Sequence, residues 1–217
     1  MSVRTMEAVA VTLTGRHVRL EPLAERHAED LAEAGSDAEI WRYMPRAPLT
    51  GVADARDYVK TALEAARDGS QVPFAIVSIA GESPAESRAS RAIGSTRYLD
   101  IRREHRGLEI GWTWLGRAWQ RTAANTECKL LLLQHAFEEL GALRVQLKTD
   151  ARNLKSQRAI ERIGGVREGV LRAHMVLPDG FVRDTVMYSI TAGEWPAARS
   201  RLEERLGRRG AMDEGKP

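Results

Sequence analysis

Residues 120–127, Gln-Arg-Thr-Ala-Ala-Asn-Thr-Glu, lie between an apolar run at 110–115 and a leucine-rich segment at 129–140. No other stretch restricts the fold as much. The run reads as the end of a central strand over 108–115. Beyond it, Leu130, Leu133, Phe137 and Leu140 recur at helical spacing until Gly141 supplies a stop. A strand that turns directly into a helix through small and polar residues leaves several backbone N–H groups unpaired and aimed at one spot, a setting for a phosphate. A polar loop before any amphipathic helix would look similar, so the rest of the chain has to decide.

The pattern around this unit is mixed. Residues 12–22 read as a first strand, 24–35 and 50–69 as helices, and 72–80 and 92–101 as strands joined by a Ser/Glu/Ala/Arg-rich connector at 81–91, a mobile hairpin loop. Leu143, Val145, Leu147 and Thr149 alternate with Arg144, Gln146 and Lys148, which makes another strand and completes a β-α-β unit. A short helix follows over 153–164. Strands at 166–176 and 181–190 flank the turn Pro178-Asp179-Gly180. Thr191 and Glu194 have capping-box spacing and open a last helix over 191–207, before a frayed tail at 208–217. The expectation is one domain over 1–207, with its core at about 15–190.

Composition excludes several classes. The chain has 217 residues and 43% hydrophobic content, enough for one sizeable core, and no apolar run approaches the ~18 residues of a membrane span. No secretory signal is legible at the start, so a cytoplasmic protein is expected. A lone Cys128 allows no internal disulfide, and histidines at 17, 27, 105, 135 and 174 lack ligand spacing, so no metal is expected. Basic residues number 33 against 30 acidic ones and are scattered. That argues against a nucleic-acid partner, which would need a basic stripe with exposed aromatics.

Three sets of residues together resemble the GCN5-related N-acetyltransferases (GNAT). The first is Gln120-Arg121-Thr122-Ala123-Ala124-Asn125, similar to the family's pyrophosphate loop, with Ala123 where Gly is usual and Asn125 where Gly or Ala is usual. The second is Asn153-Leu154-Lys155-Ser156 followed by residues 160–165, similar to the family's next helix, with Ile160 where a Tyr often stands. The third is residues 107–115, similar to the strand that pairs with pantetheine. Residues 136–141 and the pair Arg183-Asp184 resemble most closely the branch of ribosomal-protein alanine N-acetyltransferases.

The resemblance covers residues 15–190 and implies an α/β (α+β) GNAT fold. Its central sheet would be mixed and mostly antiparallel, of about seven strands, splayed at the fourth, the strand of Glu109, and flanked by helices. It implies direct acetyl transfer from acetyl-coenzyme A to a primary amine, on a peptide or a small molecule, and is compatible with a homodimer. The cofactor-binding residues would be Trp114, Leu115, Gln120, Arg121, Thr122, Ala123, Ala124, Asn125, Thr126, Asn153 and Ser156. An amine of pKa ~10.4 needs a base before it can attack. The candidates are Glu109 and, second, His174, with Ser156 assisting the leaving thiolate. Two other readings stay open: a coenzyme A-binding protein without catalysis, and a basic nucleic-acid-associated protein.

Overall fold

A computed structural model describes residues 5–79 and 90–213, with side chains to residue 207. Most of the connector at 81–91 lies outside these. The strands are β1 (Leu13–Thr14), β2 (Val18–Pro22), β3 (Val72–Ser78), β4 (Ala92–Arg102), β5 (Gly107–Leu115), β6 (Arg144–Asp150), β7 (Val166–Val176) and β8 (Val182–Thr191). The helices are α1 (Ala28–Ala34), α2 (Val52–Ala65), α3 (Ala124–Gln134), α4 (Leu154–Arg162) and α5 (Trp195–Asp213). These eight strands form one sheet in the order β1-β2-β3-β4-β5-β6-β8-β7. Among the described residues only β5 and β6 run parallel.

Eight strands are found where about seven are expected because the turn after Thr14, closed by the Gly15 N–H to Val18 carbonyl bond of 2.9 Å, divides the first strand in two. The strand of Glu109 is therefore the fifth. At the other end, Glu194 accepts from the Thr191 N–H and Oγ1, both at 2.8 Å, so the last helix starts at Trp195. It continues to Asp213, so much of the expected tail is helical.

Side chains alternate across the strands and fill two cores. Phe74 and Ile76 pack with Leu132, Leu133 and Ala136 of the α3 side, while Ala75 and Val77 pack with Leu31, Ala55 and Val59 of α1 and α2. β3 is buried throughout because helices cover both of its faces. The leucine-rich helix ends in a π-turn over His135–Glu139, with Leu140 N–H donating to the His135 carbonyl at 3.0 Å. Gly141 then takes φ +67, the left-handed stop expected from sequence.

The far edge of the sheet carries a pH-sensitive tie. Arg144 of β6 reaches Glu168 of β7, whose Oε1 also accepts from Ser189 Oγ at 2.7 Å. Arg144 and then Ser189 hold the Glu168 carboxyl at about 2, against an ordinary 4.5. A carboxyl depressed in the folded state stabilises fully above its unfolded value and loses that contribution as pH falls through the folded one. The urea midpoints of wild type and Glu168→Gln are therefore expected to differ at pH 6 and to converge between pH 4.5 and about 2. A gap that persists at the acid end of that window would contradict this origin.

Candidate active site

β5 and β6 pair only over Gly107–Glu109 and Arg144–Gln146. Past Glu109 they separate, and β5 is bulged where the register with β4 shifts and Trp112 takes φ +51. The wedge between them opens into a cavity of about 1270 Å³. It is lined by residues 109–115 of β5, 147–150 of β6, the turns around Gln120, the first turns of α3, α4, and Tyr43 to Pro45 of the connector between α1 and α2. Ten cationic side chains (Arg42, Arg117, Arg121, Lys129, Lys148, Arg152, Lys155, Arg162, Arg183 and Arg205) face it against four carboxylates (Asp37, Glu39, Glu109 and Asp150), counted among the described residues. Such a lining attracts a polyanion.

The strand-to-helix turn is held by its own hydrogen bonds. Thr122 Oγ1 donates to the Trp119 carbonyl at 2.8 Å and accepts from the Ala124 N–H at 3.2 Å. Ala123 precedes the first helical residue, and with only a methyl it offers no side-chain cap to the first turn of α3. Its φ of −68 and ψ of −24 are ordinary for any residue, so the absence of Gly there causes no strain. The left-handed position is Arg121, with φ +66. Gln120 ties the end of β5 to α4, donating to the Leu115 carbonyl at 3.2 Å and accepting from Lys155 Nζ at 2.6 Å.

Of the residues named from sequence, Glu109, Trp114, Leu115, Gln120, Arg121, Thr122, Asn125, Thr126, Asn153 and Ser156 line the cavity. Ala123 and Ala124 do not, and Ala124 is buried in the α3-side core. Asn153 caps α4, accepting from Ser156 N–H at 3.0 Å. Ile160 lines the wall at the position of the family's Tyr.

His174 is not among the lining residues. It lies exposed on β7, next to the bulge at Ala173, and its Nδ1 is 3.0 Å from Thr185 Oγ1. The structure thus separates the two base candidates. Cys128 is fully buried, and burial pushes its thiol up to about 11, which makes it a core residue.

Glu109 is 1% exposed, and its Oε2 accepts from Lys148 Nζ and Gln146 Nε2, both at 3.0 Å. These partners hold its charge in the interior. Oε1 receives no hydrogen bond from any described residue, and a Cβ on Gly111 would stand 2.7 Å from it. Glycine at that position keeps the approach to Oε1 open. Lys129 reaches into the same wedge, donating to Thr113 Oγ1 at 2.6 Å, and burial lowers its pKa. Lys129, Lys148, Asp150 and Arg183 were not read as site residues from sequence. The alternation of Gln146, Lys148 and Asp150 on one face of β6 was the available signal.

The family model of the acetyltransferase (GNAT) domain matches residues 17–166. This chain belongs to the GNAT acetyltransferase family. A GCN5-related N-acetyltransferase from Brucella melitensis is similar in structure, with a TM-score of 0.82 and 28% identity over 93% of this chain and 89% of that one. A protein from T. thermophilus, provisionally described as an acetyltransferase, is 40% identical with a TM-score of 0.80, over 93% of this chain and 100% of that one. The p20 protein of Bacillus licheniformis, described as an uncharacterized N-acetyltransferase, is 25% identical over 85% of this chain and 98% of its own length. The GNAT chain is thus an acyltransferase, with the mixed, mostly antiparallel sheet of that family. Among the described residues no helix is long and apolar enough to cross a membrane.

Proposed function

We propose that this GNAT enzyme transfers acetyl from acetyl-coenzyme A directly to a primary amine, with Glu109 as the general base. The observation that carries the reading is the wedge between β5 and β6, which brings the first turn of α3 and a buried carboxylate held by Lys148 into one cavity. The first turn of α3, with Arg121 and Lys155 beside it, suits the phosphates of the donor. Acetyl-coenzyme A supplies an activated thioester. Glu109 Oε1 takes a proton from the acceptor ammonium, directly or through one water, so that the neutral amine can attack.

Backbone N–H groups of β5 near Trp114, beyond its pairing with β6, would polarise the thioester carbonyl. As the C–N bond forms and the C–S bond breaks, the departing thiolate needs little help, since a thiol pKa is only ~8.5. Ser156 on α4, which lines the same cavity, or a water supplies the proton, since Ile160 has none to give. Residues 136–141 and Arg183-Asp184 resemble the branch that includes the ribosomal-protein alanine N-acetyltransferases, which leaves a protein N-terminus and a small-molecule amine both open as acceptors. A panel of amines and alanine- or serine-ended peptides, read by release of free thiol and by product mass, tests the reaction. Acetyl-coenzyme A consumption that requires an amine is expected. Binding of acetyl-coenzyme A without any transfer would favour a non-catalytic binding protein.

A further inference from the structure

Arg183 of β8 lines the cavity while only 5% exposed. Its Nη1 donates to the Tyr43 carbonyl at 3.3 Å, and its Nε is buried with no hydrogen-bond partner among the described residues. The nearby carboxylates are committed elsewhere. Asp150 accepts from Arg152 Nε at 3.0 Å, Nη2 at 2.7 Å and N at 2.8 Å, and Glu109 is held by Lys148 and Gln146. Arg183 therefore has no ion pair among the described residues, although its charge interacts with Asp150 and Glu109. A guanidinium keeps its proton in proteins, so burying one without an anion is costly. A ligand anion would relieve that cost.

Register places Arg183 and Glu109 on one face of the sheet. Glu109 lies opposite Gln146, Gln146 opposite Ser189, and Arg183 is six residues along β8 from Ser189, an even step. The Arg152 guanidinium over the Phe181 ring at 3.4 Å walls the same end. Given the acetyl-transfer reading above, on which this rests, we infer that the acceptor is an amine that also bears a carboxylate. The amine is presented to Glu109, and the carboxylate is seated on Arg183 in the planar, two-bond geometry a guanidinium favours. Arg183 is thus a specificity-determining residue.

The test compares kcat/KM for amino acids against their decarboxylated amines, with phosphoethanolamine and ethanolamine as a further pair, in wild type, Arg183→Gln and Arg183→Lys. Acetyl-coenzyme A affinity is measured alongside. Wild type is expected to prefer the carboxylated member at least about tenfold, Arg183→Gln to reduce the preference to about two- to threefold, and Arg183→Lys to restore part of it, all with acetyl-coenzyme A affinity unchanged. A merely structural Arg183 would lower both members of each pair equally, which overturns the inference, as would a wild type indifferent to the carboxylate or one that favours phosphoethanolamine. Failure to bind acetyl-coenzyme A would remove the acetyl-transfer reading as well. The wild-type preference stands as a test even if a variant does not fold.

Discussion

Glu109→Gln is expected to lower kcat/KM for acetyl transfer about 10²- to 10⁴-fold while leaving acetyl-coenzyme A binding and folding close to wild type. Glutamine keeps the shape of the side chain in a site with 1% exposure, and its carbonyl can still accept from one of the donors at Oε2. What it lacks is a basic oxygen. Lys148 loses its counter-charge but is itself 26% exposed and can turn to solvent. The loss should be in kcat, read with the best acceptor from the panel, and should shrink as pH rises and more amine is already neutral. A variant within about threefold of wild type at neutral pH would sink the assignment. His174→Gln, outside the cavity, is expected to leave the rate within about twofold.

Glu127→Ala is expected to lower the thermal midpoint by about 10 °C. Glu127, 5% exposed in the first turn of α3, accepts from the backbone N–H groups of Arg16 at 2.8 Å, His17 at 2.6 Å and Val18 at 2.8 Å. Gly15 lies so close that a Cβ there would collide with the Glu127 carboxyl carbon. One carboxylate therefore fastens the turn between β1 and β2 to a helix more than a hundred residues away. Leaving buried donors unsatisfied costs roughly 1–3 kcal/mol each, and partial access to water brings the sum to about 3–5 kcal/mol. For a chain of this size each kcal/mol moves the midpoint by about 2–4 °C. Glu127→Gln, which retains one acceptor oxygen, should lose less. A shift under about 2 °C for Glu127→Ala by calorimetry would show that these bonds contribute little.

The contrast between these two glutamates shows how much the sequence discloses. Glu109 was legible as a candidate through the family resemblance, which places a basic glutamate on a strand eleven residues before Gln120, a relation that local order preserves. Glu127 sits within the very stretch that announces the fold, yet its partners at residues 16–18 come from a distant turn that no periodicity links to it. Lys148 and Arg183 stayed hidden for the same reason, since their meaning depends on β6 and β8 lying on one side of β5 and on β5 and β6 parting after Glu109.

Ala123 stands where Gly is usual in the family, yet the chain puts its left-handed residue at Arg121 and leaves Ala123 in a common conformation. The strands, the leucine-rich helix and its Gly141 stop followed from side-chain periodicity and are present. The extra strand and the π-turn rest on single backbone bonds, Gly15 to Val18 and Leu140 to His135, that periodicity does not encode.

On the reading proposed above, acetyl-coenzyme A sits in the wedge between β5 and β6, against the first turn of α3. Calorimetric titration of the purified protein with acetyl-coenzyme A, with 3′-dephospho-coenzyme A in parallel, tests it most directly. Saturable one-to-one binding is the predicted result. No detectable heat with either ligand at millimolar concentration would contradict it, leaving the fold in place without the site.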